Sequence, residues 1–246
     1  MNSVNKYLRK HGFERFEPKA VLFDMDGVIY DSMPNHARAW HQSMEVENGL
    51  VMSEADAYMF EGMRGVETIK VLARQQWQRE LSDEESERMY ARKSEWFSIY
   101  SRTSPAVKMP GVEQLMQQIK AMGMTIGVVT GSGQHSLLDK LTTDFSGLLY
   151  REYMVTCFDV SQGKPKPDPY LKGLEKCGGL KPWEAIVVEN APLGVRAAQA
   201  AQIFTIAVNT GPLPDERLTN EGADLLFKRM TDLAEQWKQL MASVGT

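Results

Sequence analysis

An α/β fold built on a doubly wound parallel sheet is what this sequence predicts, and three observations carry the prediction. Six short apolar runs have the length and continuous hydrophobicity of strands buried on both faces: 20–24, 124–130, 153–157, 185–189, 203–208 and 223–227. Helix-patterned segments separate them, including 111–122, 168–177 and 193–200. One stretch breaks the rhythm. From about Met33 to Arg102 the pattern is helical throughout, which predicts a small all-helical unit inserted directly after the first strand.

Taken in order, the polar start of the chain reads as a short leader without the apolar core of a signal peptide. The first strand, AVLFD, ends in Asp24, and Asp26 follows two residues later. Alternation along an extended chain puts both carboxylates on one side, and Gly27 permits the turn after them. Two acids at the end of a buried strand are costly unless a cation joins them, and a divalent metal is the simplest one. The insert is predicted as helices at 36–47, 53–59, 66–79 and 83–100. Ser82 is placed as an N-cap, followed by acids in the first turn. Pro34 and Ser104-Pro105 mark hinges at its two junctions. The predicted organisation is a core of residues 1–32 and 103–246 with the helical unit at 33–102.

Composition narrows the function classes. Hydrophobic content of 43% and charged content of 24% in 246 residues are ordinary for a soluble globular chain. A net charge of −4 offers no basic surface for nucleic acid, and no apolar run approaches a bilayer span. Two cysteines, Cys157 and Cys177, are too few for a disulfide framework. The expectation is a cytoplasmic monomer acting on a small molecule, with no nucleic-acid or membrane partner. The 15 methionines read as core filler.

Ligands of open parallel sheets bind beyond the carboxyl ends of the strands, so those ends were compared. The first carries Asp24 and Asp26, the second Thr130-Gly131-Ser132-Gly133, the third leads to Gly163-Lys164-Pro165, and the fourth carries Glu189-Asn190. Acids, a hydroxyl, a lysine and an amide converging on one crevice suit phosphoryl transfer.

These four segments, DxDGV, the Thr strand end, GKPxPDP and VExxxxGVxAA, resemble in order the motifs of the haloacid dehalogenase-like phosphotransferases, from about Lys19 to Met230. The resemblance implies a Rossmann-like core with a helical cap of the C1 type. FDMDGVIYDSMPNHARAW is similar to the β-phosphoglucomutase subgroup. VVTGSGQ, GKPKPDPY, VVENAPLGV and FTIAVNTGPL are similar to its inorganic pyrophosphatases.

By the resemblance, Asp24 is the nucleophile that becomes an aspartyl phosphate, and Asp26 the acid and base. Thr130 donates to the transferring phosphoryl, and Lys164 neutralises charge. Mg²⁺ is held by Asp24, the Asp26 carbonyl, Asn190 and the cap residue Glu61, with Glu189 either a ligand or one water removed. His36, Arg64, Tyr90, Lys93, Gly131 and Ser132 are expected to contact substrate. Asn190 stands where most of the subgroup has Asp, which leaves the metal short of one charge. Trp40 is expected to pack the first cap helix, and Lys166 to be a solvated loop charge. His11, His41 and His135 are expected at the surface or in helix packing. The implied activity is pyrophosphate hydrolysis, ahead of a sugar-phosphate phosphatase and then a β-phosphoglucomutase. Arg64 sits one position from the mutase arginine, and Gly133-Gln134 supply no lysine.

Overall fold

The computed structural model describes residues 3–132 and 135–242. Six parallel strands form one sheet: β1 (Ala20–Phe23), β2 (Thr125–Val129), β3 (Met154–Val155), β4 (Ala185–Glu189), β5 (Phe204–Val208) and β6 (Leu225–Phe227). Their order is β3-β2-β1-β4-β5-β6. The chain winds outward from β1 to one edge, returns, and winds outward from β4 to the other. The switch in direction lies between β1 and β4, where Phe23 pairs with Val188. This is the position at which a doubly wound sheet opens a crevice for ligand. All six predicted strands form, and β1, β4 and β5 are buried at every position.

Helices cover both faces. On one, α6 (Val112–Ala121), α7 (His135–Asp144) and α11 (Met230–Ala242) pack on Val21, Phe23, Val128 and Ile206. On the other, α8 (Asp168–Lys176) and α9 (Pro192–Ala200) pack on Leu22, Val129 and Val187. A short helix, α10 (Glu216–Thr219), precedes β6.

The N-terminal segment corrects the expected leader. It forms α1 (Ser3–His11), whose Val4 and Tyr7 are buried. The Tyr7 ring lies edge-on to Phe204, its centroid 5.4 Å away, and its hydroxyl donates to the Gln202 carbonyl at 2.9 Å. Val4, Tyr7 and Leu8 sit at helical spacing, a signal too short to stand out among polar neighbours. His11 stacks on Phe13, and His41 pairs with Glu45 on the surface; the His135 side chain lies outside the described residues.

Between β1 and β2 rise α2 (Met33–Trp40), continued by a wider π-helical turn over His41–Val46, then α3 (Glu54–Met59), α4 (Gly65–Trp77) and α5 (Asp83–Thr103). They share a core of their own around Trp40, Met44, Ile69, Leu72 and Leu81. Ser82 caps α5 as expected: it accepts from the Glu85 amide, while the Glu85 carboxylate accepts from the Ser82 amide. Asn35 donates to the Ser104 carbonyl at 2.7 Å, so the two junctions of the insert are tied together.

Candidate active site

The crevice at the strand ends is built around Lys164. Its ammonium donates to Asp24 Oδ1 at 2.5 Å, Glu189 Oε1 at 2.7 Å and the Val129 carbonyl at 3.1 Å. Lys164, Asp24 and Glu189 are each at least 98% buried. A lysine buried alone would lose its charge. Here burial is outweighed by Asp24 and Glu189, which hold the ammonium well above its ordinary value. Asp24 shows the converse balance. Burial, with Glu189 and Asp26 nearby, outweighs Lys164 and pushes its carboxyl up to about 8.

Asp24 Oδ2 has no hydrogen-bond partner, and neither amide atom of Asn190 has one. These orphaned, buried oxygens face the switch point from β1 and from the end of β4. Hard oxygen donors left open in this way fit Mg²⁺. Among the described residues no three His, Cys, Asp or Glu side chains are placed to hold a metal ion. The donors left open at this point are Asp24 Oδ2 and the Asn190 amide oxygen. Gly27 makes room for that amide: it adopts φ +82°, and a Cβ there would stand 2.0 Å from Asn190 Nδ2.

Of the two places expected for Glu189, the geometry favours the one away from direct ligation. Its Oε1 accepts from Lys164 and from the Tyr170 hydroxyl, both at 2.7 Å; its Oε2 accepts from the amides of Asn190 and Ala191 at 2.9 and 3.1 Å. With both oxygens engaged, Glu189 orients Lys164 and the Asn190 backbone instead of facing a cation. Tyr170, the last residue of GKPKPDPY, was given no role from the sequence. Ser32 was also missed.

Asp26 is held by Ser32, whose hydroxyl donates to Oδ1 at 2.5 Å, and by His36, with Nε2 3.3 Å from the same oxygen. Burial alone would raise Asp26; His36 and Ser32 outweigh it and keep the carboxyl below its ordinary value. His36 is in turn met by Lys93, whose ammonium lies 2.8 Å from Nδ1. An ammonium only donates, which assigns the imidazole proton to Nε2, toward Asp26. Burial and Lys93 hold His36 below its ordinary value against the pull of Asp26. Phe97 stacks on His36, and Lys93 lies over the rings of Trp40 and Phe97. Burial pushes Lys93 down to about 8, against the pull of Glu61 and Asp26.

The cap side closes the site. Asp26, His36, Trp40, Glu61, Tyr90, Lys93, Gly131 and Ser132 line one cavity of about 60 Å³. Burial raises Glu61 well above its ordinary value, and Asp26 and Asp24 add to the shift. Tyr90 lies flat against Gly65, where a Cβ would fall 2.0 Å from the ring. Thr130 is buried at the end of β2, and its Oγ1 accepts from the Ser132 amide at 3.0 Å, leaving the hydroxyl proton for another acceptor. The expected solvated role of Lys166 agrees with its exposure. Gly133 and Gln134 lie outside the described residues.

Arg64 does not line this cavity. Its Nη2 donates to the carbonyls of Cys157 at 3.1 Å and Val160 at 2.5 Å, across the junction between the cap loop and the core. Arg64 also borders a small pocket with Thr130, Gly131 and Lys164.

Comparison with known proteins agrees with the geometry. A solved structure described as a putative β-phosphoglucomutase from Bacteroides vulgatus superposes with a TM-score of 0.93 at 48% identity, covering 99% of this chain and 97% of its own. Hexitol phosphatase A of Escherichia coli is 30% identical over 78% of this chain and 83% of its own. A putative pyrophosphatase of Caldanaerobacter subterraneus is 27% identical over 87% of this chain and 92% of its own. Among such relatives, sugar-phosphate chemistry has better support than the pyrophosphate hydrolysis expected first from the sequence. The family model for haloacid dehalogenase-like hydrolases matches residues 18–202. The chain belongs to the haloacid dehalogenase-like hydrolases, a family of phosphoryl-transfer enzymes.

Proposed function

We propose that the protein is a Mg²⁺-dependent phosphohydrolase working through an aspartyl phosphate at Asp24, with pyrophosphate as its substrate. The volume of the cavity carries the choice of substrate. About 60 Å³ between Asp26 and the cap is far below the roughly 300–1,000 Å³ of sites for drug-sized organic ligands. A compact dianionic leaving group fits that space, with Lys93 beside it, better than a hexose.

In this mechanism Lys164 draws the Asp24 carboxyl toward its ionised form, against burial, and faces the incoming phosphoryl oxygens, while Thr130 donates to one of them. Asp24 and Asn190 would hold Mg²⁺, which would supply charge neutralisation for the transferring phosphoryl. A bound polyanion raises the proton affinity of Asp26, so that Asp26 can protonate the leaving oxygen in the first step. In the second it takes a proton from the attacking water. Lys93 and His36 keep that carboxylate oriented. Cap closure excludes bulk water and strengthens each of these interactions.

A sugar phosphate, hydrolysed or isomerised, is the second reading. It is favoured by the descriptions of the relatives and by a groove of about 550 Å³ toward the hinge. That groove borders Asp26 and is lined by Tyr30, Ser101, Arg102 and Lys140. The deciding experiment measures phosphate release from pyrophosphate and from a panel of sugar phosphates, beside conversion of β-glucose 1-phosphate to glucose 6-phosphate. Pyrophosphate is expected to give the highest kcat/KM. Efficient mutase turnover with little pyrophosphate hydrolysis would overturn the proposal.

Two further outcomes follow from the cap side of the cavity. Glu61→Ala is expected to raise the Mg²⁺ concentration for half-maximal turnover by about tenfold, the lower end of what loss of a supporting carboxylate costs a metal site. An unchanged metal titration would remove Glu61 from that role. Lys93 is held near 8 and so loses its charge above that pH. KM for pyrophosphate is expected to climb with pH beyond about 8, and the climb should vanish in Lys93→Met. A flat KM in the unmodified enzyme would refute the assignment.

A further inference from the structure

We infer that Arg64 is a clasp that couples closure of the cap to the placement of Lys164. This rests on the reading of Lys164 as the residue that neutralises Asp24. Arg64 stands at the start of α4, in the cap loop. Both protons of Nη2 are spent on core carbonyls, those of Cys157 and Val160, in the loop between β3 and Lys164. Gly163, immediately before Lys164, packs under the arginine stem: a Cβ there would stand 3.1 Å from Arg64 Cγ. Two residues before Arg64, Gly62 adopts φ +85° and lies on the lysine side chain, where a Cβ would be 2.7 Å from Lys164 Cδ. Gly62 also covers Gly131, its carbonyl 3.3 Å from where a Gly131 Cβ would be.

The same loop is anchored on its other side. Asp159 accepts from the Thr156 amide and hydroxyl, both at 2.8 Å, and pairs with Lys176 of α8 at 2.6 Å. The segment leading into Lys164 is thus gripped by the core through Asp159 and by the cap through Arg64 and Gly62. Lifting the cap removes the second grip and frees two main-chain carbonyls together with the stem of the lysine. Arg64 accordingly acts as a positioning residue: its guanidinium bonds go to main-chain carbonyls, and it completes the site only when the cap is down.

The test uses the full chain with Arg64→Ala and Arg64→Lys, followed by hydrogen exchange and by steady-state kinetics. Exchange is measured with Mg²⁺ and inorganic phosphate present. In Arg64→Ala the amides of 157–163 are expected to exchange about tenfold faster, with the sheet unchanged. The kcat for pyrophosphate should fall about 10- to 100-fold, the factor expected for lost charge-assisted bonds to carbonyls. Arg64→Lys, which keeps the charge and can reach one carbonyl, should recover part of both effects. Unchanged exchange at 157–163 overturns the clasp, and faster exchange with unchanged kcat overturns its coupling to Lys164. If Arg64→Ala fails to fold, the comparison of Arg64→Lys with the unmodified chain reads the same two quantities. An unmodified chain that hydrolyses no phosphate compound refutes the proposed function, while the exchange measurement still decides the clasp.

Discussion

Asp24→Asn is expected to lower turnover of every substrate by roughly 10⁴-fold or more, the scale of losing a nucleophile for which nothing else substitutes. The amide is isosteric and can still accept from Lys164, so the site should stay assembled. Stability should move the other way at neutral to alkaline pH. The Asp24 carboxyl is pushed up to about 8 by burial and by Glu189 and Asp26, against Lys164. Between its ordinary value near 3.8 and about 8, the folded chain holds a proton that the unfolded chain has released. Without metal, stability therefore falls as pH rises through that window. Asn carries no such group, so metal-free Asp24→Asn should be at least as stable as the unmodified protein at pH 8, and its melting temperature should depend less on pH. Mg²⁺ should raise the melting temperature of the unmodified protein more at pH 8 than at pH 5, and that of the variant little at either. Thermal melts at the two pH values, with and without Mg²⁺, check both statements. Residual turnover near the unmodified rate would dismiss Asp24 as nucleophile.

Lys164→Met should cost both activity and fold. The lysine is the shared partner of Asp24 and Glu189, all of them buried. Taking it away leaves two carboxyl groups facing each other without a cation, a change that costs about 3–5 kcal/mol when a buried pair is broken. For a chain of this size that corresponds to a drop in melting temperature of roughly 6–20 °C. The loss should be smaller at pH 5, where Asp24 takes up a proton, than at pH 8. Turnover should be lost at both. A variant that melts with the unmodified protein at pH 8 would show that the acids find another partner, and the central place given to Lys164 would be wrong. Glu189→Gln offers a milder comparison: it keeps the amide-facing oxygen and removes one of the two charges, so it should melt between the two.

The strand ends that meet at the candidate site were legible because each is a short local string. Asp24 and Asp26 stand two apart on one strand, and Thr130, Lys164 and Asn190 each close a strand or the loop just after one. Such strings need only the rule that a parallel sheet presents its carboxyl ends together. The capping box at Ser82 and Glu85 was legible for the same reason, since both halves lie within one turn. Tyr170, Ser32 and the main role of Glu189 were not. Their meaning lies in partners far away in the sequence, and a tyrosine on a helix reads as packing until its hydroxyl is seen on a carboxylate. Helix α1 escaped notice because its apolar face is only two or three residues long.

By itself, then, the sequence determined the sheet, the helical insert and which residues stand at the strand ends, because local periodicity and motif spacing are properties of contiguous chain. Only the tertiary structure decided where the cap rests. It set Arg64 on the carbonyls of 157 and 160, filled the space over Gly65 with Tyr90, and occupied both oxygens of Glu189. Those outcomes depend on how two surfaces separated by tens of residues pack together. The side-chain volumes and hydrogen-bond partners that settle them meet only when the chain is folded.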